Sequence, residues 1–236
     1  MSMQEDTPIS VDLVIVGAGV VGCATAARIC SNQRKNVLGT LVLEQGPRIA
    51  EGVTSRNSGV IHAGLYYKAD SLKTQLCIRG QKLLYEWAAK QGVPHDNCGK
   101  LVVSPDEDSE DLSTIYENAL KAGASGLEML SKEQIKTVLP NEVRAKSAFL
   151  SNSTGIIDPF ELSRSLKQAS EQAGAEYVFN CGVTKISFDQ GAYLLSTNRG
   201  EIRAQFVILC AGLNSDEIEL HSDELKIITP KIFPWR

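Results

Sequence analysis

Residues 11–46 read VDLVIVGAGVVGCATAARICSNQRKNVLGTLVLEQG, and the fold is decided there. Val11 to Val16 is a short apolar run that opens straight into Gly17, the pattern of a strand buried on both faces of a parallel sheet. Val20 to Cys30 is built of small, helix-compatible residues. Thr40 to Glu44 is a second buried strand, stopped by Gln45-Gly46-Pro47. Strand, helix and strand in this order predict a βαβ unit. Between the first strand and the helix stands Gly17-Ala18-Gly19-Val20-Val21-Gly22, a G-x-G-x-x-G. Gly17 permits the tight turn, Gly19 lets backbone approach a pyrophosphate, and Gly22 lets helix and strand pack closely. The helix N-terminus favours the negative charge. Glu44 falls 22 residues after Gly22, where such a unit carries an acid for ribose hydroxyls. A dinucleotide site is the reading; a glycine-rich turn in a non-binding α/β protein is the alternative.

Arg48 to Asp70 is rich in Gly and Ser and has no period. Within it, Thr54-Ser55-Arg56-Asn57-Ser58-Gly59-Val60-Ile61-His62-Ala63-Gly64 supplies hydroxyls, an amide and backbone N–H groups suited to wrap a phosphate and a ring system. A plain surface loop is the competing reading. Ser71 to Gln91 is predicted helical, with Leu72, Leu76, Leu83 and Trp87 recurring near helical spacing and Gly92 as its stop. Gly99 to Ser104 reads as a strand and Asp106 to Ala122 as an acidic-fronted helix. Ser131 to Leu139 reads as a short helix with a Ser131–Gln134 capping box. Asp158-Pro159 opens a helix to Gly174. Strands are expected at 175–180, 183–189, 192–197, 205–210 and 225–236, with Asn198-Arg199-Gly200 as a hairpin turn.

Composition narrows the classes. The 236 residues carry 24 Lys+Arg and 28 Asp+Glu, a net charge of −4. This acidic balance argues against a nucleic-acid binder. No apolar run approaches the roughly 20 residues of a membrane helix. The N-terminus has Glu5 and Asp6 in place of a basic leader. None of the six cysteines forms a C-x-x-C pair, so free thiols are expected, with no disulfide framework and no metal site. A cytoplasmic chain follows.

The segment TSRNSGVIHAGLYY resembles the flavin-contacting stretch of the D-amino-acid-oxidase-like FAD superfamily, and is especially similar to its L-2-hydroxyglutarate dehydrogenase/oxidase branch. The resemblance continues through SLKTQLCIRGQKLLYEWAAKQGVPHDNCGKLVV, STGIIDPFEL and the Cys210–Asp216 segment, spanning Asp12 to Pro234. It implies an α/β fold: a Rossmann-like FAD-binding domain with part of a mixed-sheet α+β substrate domain. The FAD-binding domain is expected over 1–90 and 150–220, and the partial substrate domain over 91–149 and 221–236. By resemblance, Gly17, Gly19 and Gly22 hold the FAD pyrophosphate and Glu44 the adenosine ribose. Thr54, Ser55, Arg56, Asn57 and Ser58 line the stretch toward the flavin. Val183 presents backbone to the adenine, and Ala211 and Gly212 close against the dinucleotide.

His62 is implied to sit near the isoalloxazine, as acid/base or covalent anchor. Oxidation of a 2-hydroxy acid needs a base for the hydroxyl proton, and histidine suits that near neutral pH. A packed core histidine is the alternative. Lys100 reads either as a carboxylate binder or as a solvated lysine beside a turn. Arg79 reads as structural and Asp158 as a helix cap.

The implied activity is FAD-dependent oxidation of a small L-2-hydroxy acid, with quinone or dioxygen as electron acceptor and a membrane-associated or, in a eukaryote, mitochondrial setting. Oxidation of glycerol 3-phosphate or an amine is the second reading. Chains of the resembling family extend beyond Arg236, and Phe233-Pro234-Trp235-Arg236 resembles the start of a hairpin. A fragment that binds FAD without turnover is therefore the third reading.

Overall fold

The computed structural model describes residues 8–32, 39–107, 109–140, 143–223 and 231. In chain order these form β1 (Ile9–Val16), α1 (Val20–Ser31), β2 (Thr40–Leu43), β3 (Val60–Ile61), α2 (Leu72–Gln91), β4 (His95–Asp96), β5 (Lys100–Ser104), α3 (Glu110–Lys121) and β6 (Leu127–Met129). They continue as α4 (Lys132–Val138), β7 (Ser147–Ser151), β8 (Gly155–Ile157), α5 (Pro159–Gln172), β9 (Ala175–Val178), β10 (Val183–Asp189), β11 (Ala192–Thr197), β12 (Gly200–Leu209) and β13 (Glu219–Ser222). Two compact units result: one from the residues up to Asn57 and from Pro159 onward, the other from Ser58–Asp158.

The first unit holds a seven-stranded sheet in the order β13-β10-β11-β12-β1-β2-β9. Strands β12, β1, β2 and β9 are parallel, with Leu209, Val16, Leu43 and Val178 in register at their carboxyl ends. In an open parallel sheet, that end is where ligands bind. The period-2 alternation of β1 divides its side chains between two layers. Val14 and Val16 join Leu41, Leu43, Ile186, Leu195, Ile202 and Ala204 in one core, and the buried Leu13 and Ile15 take the opposite face. Helix α1 packs on α5. Its buried residues are Gly22, Cys23, Ala26, Ala27 and Cys30, small enough for close helix approach. Buried Ser163 and Ser170 on α5 donate to Pro159 O and Lys167 O at 2.8 and 2.7 Å, so no hydroxyl there goes unsatisfied.

Strand β12 starts at Gly200, five residues before the expected start at Gln205. Glu201 lies on the exposed face and Arg203 is half-buried, while Ile202 and Ala204 are buried. An apolar-run criterion misses such an alternating strand.

The second unit has two antiparallel three-stranded sheets, β3-β8-β4 and β5-β7-β6. Phe149 on β7 is fully buried among Ala63, Leu65, Leu112, Ala119 and Ala124, edge-on to Tyr116 at 5.3 Å. The capping box is present: Gln134 N–H donates to Ser131 Oγ (3.3 Å) and Ser131 N–H to Gln134 Oε1 (2.8 Å). Helix α3 starts at Glu110, not Asp106, because Ser109 Oγ accepts from Leu112 N–H and sets the cap. Within the expected charge run, Asp108 lies outside the described residues.

Helix α2 leaves exposed three of the apolar residues that mark its helical spacing. Leu72, Leu76 and Leu83 are exposed, and the buried positions are Thr74, Gln81 and Ala88. Polar side chains occupy that face because each is satisfied: Thr74 Oγ1 donates to Lys68 O (2.6 Å) and Gln81 Nε2 to Ser153 O (2.8 Å). The bonds of Gln81 and Tyr85 to Ser153 O also tie α2 to the second unit, whereas the expected boundaries grouped residues 1–90 with the dinucleotide domain. Conversely, β13 pairs in parallel with β10, so residues 219–222 belong to the first unit's sheet and not to a substrate domain over 221–236. The strand expected at 225–236 lies, Lys231 apart, outside the described residues.

Replacing Phe149 by Ala removes the largest buried side chain of the second unit and is expected to cost about 3–5 kcal/mol. Hydrogen exchange read by mass spectrometry should show faster exchange throughout 58–158; protection equal to the parent's would contradict this account of the core.

Candidate functional site

The glycine turn forms at the carboxyl end of β1. Gly17 has φ +103°, a conformation that L side chains rarely adopt. A Cβ there would also lie 2.5 Å from Cys210 O. A Cβ on Gly22 would lie 1.9 Å from Gly17 O, so the helix start sits directly on the turn. Gly19 differs: its φ is −69°, and a Cβ would meet Thr54 Oγ1 at 3.2 Å, a tight but not impossible approach. Gly17 and Gly22 are thus required by the protein's own backbone, and Gly19 leaves backbone bare toward the loop carrying Thr54. Helix α1 begins on this uncapped glycine. By helix geometry, the N–H groups of its first turn have no intrahelical acceptor, and the helix dipole adds positive potential there.

Glu44 follows the end of β2 and is fixed by two backbone donors. Ala18 N–H donates to its Oε2 at 2.8 Å and Gly46 N–H to its Oε1 at 2.9 Å. Each carboxylate oxygen retains acceptor capacity for a ribose hydroxyl. Segment 180–182 is held beside it: Cys181 N–H donates to Glu44 O (2.8 Å) and Asn180 N–H to Gly46 O (2.9 Å). Val183 opens β10 two residues after Cys181. On the other flank, Cys210 N–H donates to Val16 O at 2.8 Å. Ala211 follows with its Cα 3.3 Å from the Gly17 Cβ position, and Gly212, at φ +60°, begins a 3₁₀ turn over Gly212–Asn214.

The loop after Glu51 splits the predicted set. Thr54 reaches the turn, its Oγ1 accepting from Val20 N–H at 3.1 Å. Ser55 Oγ, Arg56 Nη1 and Asn57 Nδ2 instead donate to carbonyls of their own loop, at Glu51, Gly52, Val53 and Thr54. Gly17, Gly19, Gly22, Glu44, Thr54, Ala211 and Gly212 therefore share one end of the first unit's sheet, and Val183 follows the Asn180–Cys181 segment that is bonded to Glu44 and Gly46 there. Ser58, exposed, opens the second unit, and His62 lies within it.

His62 is exposed, between buried Ile61 and Ala63, so it is not a packed core histidine. Partial burial, then the positive charges of Lys100 and Lys73, hold its pKa below the ordinary value. Lys100 Nζ sits 4.7 Å from the Tyr66 ring centroid and Lys73 Nζ 4.0 Å from that of Tyr67.

Sequence reasoning missed Ala18 and Cys23. Ala18 anchors Glu44 through its N–H and accepts from Ala50 N–H (3.1 Å) and Cys23 Sγ (3.5 Å) through its carbonyl. Burial pushes the Cys23 thiol up to about 11, so it supports the turn as a neutral, unreactive group. The x positions of a G-x-G-x-x-G motif carry no signal for such bonds.

Comparison with known proteins bears on the same residues. The family described as DAO, FAD dependent oxidoreductase, matches residues 12–235. The chain is 38% identical over 242 residues to human "L-2-hydroxyglutarate dehydrogenase, mitochondrial", covering 96% of this chain and 51% of that protein. Against the Dictyostelium discoideum protein of the same name, identity is 32%, over 95% of this chain and 53% of that one. The chain thus spans about half the length of the curated relatives it matches. Among solved structures, FAD-bound L-alpha-glycerophosphate oxidase from Mycoplasma pneumoniae superposes with a TM-score of 0.81 at 28% identity, over 88% of this chain and 55% of that one. Glycine oxidase from Geobacillus kaustophilus shares the fold, with a TM-score of 0.77 at 20% identity over 89% and 57% of the two chains.

The three glycines are expected to separate experimentally. Gly22→Ala forces Cβ against a backbone oxygen and should destabilise the chain by about 1–3 kcal/mol, read as a lower melting temperature without FAD. Gly19→Val should keep a near-parental melting temperature without FAD yet lose FAD binding, read by flavin absorbance of the dialysed protein. Retained flavin in Gly19→Val would place the site elsewhere. The bare turn, the positive end of the helix dipole and the two-sided anchoring of Glu44 suit the pyrophosphate and ribose of FAD, and with the family match over 12–235 they make this chain a member of the DAO family of FAD-dependent oxidoreductases.

Proposed function

We propose that this chain carries the FAD site and the acid/base histidine of an enzyme that oxidises L-2-hydroxyglutarate to 2-oxoglutarate. The supporting observation is the 38% identity, across 96% of the chain, to the human protein named L-2-hydroxyglutarate dehydrogenase, mitochondrial. In a eukaryote the corresponding location is the mitochondrion, as the names of the relatives have it.

Bound FAD would supply the acceptor for the hydride of substrate C2, with quinone or dioxygen as the onward electron acceptor. Gly17, Gly19, Gly22 and Glu44 would hold its pyrophosphate and ribose with Thr54 beside them, Val183 would present backbone to the adenine, and Ala211 and Gly212 would close against the dinucleotide. His62 takes the proton of the C2 hydroxyl, so that the C–O bond becomes a carbonyl as the C–H pair departs. That role needs neutral imidazole. Burial and the two lysines hold the His62 pKa below the ordinary 6.5, which keeps the base form present to lower pH than for a free histidine. With the folded pKa lowered, the rate should be full above that pKa and fall as pH drops through it.

The test is bleaching of the bound flavin under anaerobic conditions. L-2-hydroxyglutarate is expected to bleach the FAD-loaded chain, and His62→Ala should slow this by about 10²–10⁴ with little change in melting temperature. Bleaching by glycerol 3-phosphate but not by L-2-hydroxyglutarate would favour the second reading, which the 28% identity to L-alpha-glycerophosphate oxidase supports. Bound flavin that no substrate bleaches would favour binding without turnover.

A further inference from the structure

The second unit gathers positive charge around His62 in a chain whose net charge is −4. Lys73 comes from the first turn of α2 and Lys100 from the first residue of β5. Each ammonium rests over a neighbouring ring, Lys73 over Tyr67 and Lys100 over Tyr66. The rings follow His62 in sequence, so His62-Ala63-Gly64-Leu65-Tyr66-Tyr67 sets both seats. Ala63, Gly64 and Leu65 are buried, which anchors the strip that presents them. A ring face fixes an ammonium's position without neutralising its charge. Among the described residues, the ion pairs of the structure involve neither lysine. His62 O accepts from Cys77 Sγ at 3.4 Å, one helical turn beyond Lys73, and after partial burial the charges of Lys100 and Lys73 oppose protonation of the imidazole. The two ammoniums repel each other without a counter-charge, and a bound anion offsets both.

We propose that Lys73 and Lys100, seated over Tyr67 and Tyr66, form with His62 an anion site for the carboxylates of a dicarboxylic 2-hydroxy acid. This rests on the functional reading above and adds to it the groups that select a dicarboxylate over a monocarboxylate. Lys100 is half-buried and Lys73 exposed, so Lys100 contributes the less screened charge and the larger share of binding. The lysines bind and position; the proton transfer stays with His62.

The chain has three histidines, His62, His95 and His221, so each imidazole can be assigned by substitution and followed by NMR. The probes are 2-oxoglutarate, 2-oxobutyrate and inorganic phosphate, titrated into the 236-residue chain. Saturating 2-oxoglutarate is expected to shift the His62 resonances and raise its pKa, because the bound carboxylates offset the lysine charge. 2-oxobutyrate should bind more weakly. Lys100→Met should weaken 2-oxoglutarate binding by about ten- to a hundredfold, the worth of one charge-assisted hydrogen bond, and raise the pKa of His62 in the free chain. Lys100→Arg, which keeps charge and ring contact, should restore both. Equal binding of 2-oxoglutarate by the parent, Lys73→Met and Lys100→Met would overturn the proposal, as would tighter binding of phosphate than of 2-oxoglutarate. Lysine-dependent binding without flavin bleaching by L-2-hydroxyglutarate would leave the anion site standing and remove the proposed function. Bleaching with lysine-independent binding would do the reverse.

Discussion

The structure turns on a contact that admits no side chain: Gly22 against the carbonyl of Gly17. A Cβ at Gly22 would stand 1.9 Å from that oxygen, so helix α1 can begin where it does only if this residue is glycine. The close approach fixes the first turn of α1 over the end of β1 and directs its N–H groups outward. From that placement the rest of the first unit follows. Ala18 N–H becomes available to Glu44, Glu44 draws β2 level with β1, and Cys210 closes the other side through Val16 O. The same end of the sheet thereby gathers a cationic helix terminus, an anchored carboxylate and bare backbone. Few ligands other than a dinucleotide ask for all three.

Much of this was legible in the sequence because the requirements are local. A glycine at a left-handed turn, an apolar strand on either side and an acid about 20 residues later are features of spacing. Strands β10 and β11, the Ser131 capping box and the stop at Gly92 were legible for the same reason. The misreadings have two origins, a buried helix face that is polar and a strand whose apolar residues alternate with charged ones. The leucines that mark the period of α2 are exposed, while Thr74 and Gln81 are buried because carbonyls at Lys68 and Ser153 receive them. Strand β12 begins five residues early since Glu201 and Arg203 alternate with buried Ile202 and Ala204.

The candidate site divides in the same way. Thr54 reaches the glycine turn, but Ser55, Arg56 and Asn57 spend their side chains on the carbonyls of their own loop. Those bonds hold the loop that carries Thr54. The charge around His62 was half visible, since Lys100 stood out beside Gly99 while Lys73 looked like one more polar position on a helix. It took the fold to seat them over adjacent tyrosines, where their charges help hold the histidine in its neutral form to lower pH.

The central claim is that the turn at Gly17–Gly22, with Glu44, holds the adenosine and pyrophosphate portion of FAD. Competition binding tests it most directly: FAD is bound to the purified chain, and ADP or FMN is titrated against it while flavin fluorescence is followed. The account predicts that ADP, which carries the pyrophosphate and the adenosine ribose, displaces FAD, and that FMN at the same concentration does not. Displacement by FMN with no effect of ADP would contradict it.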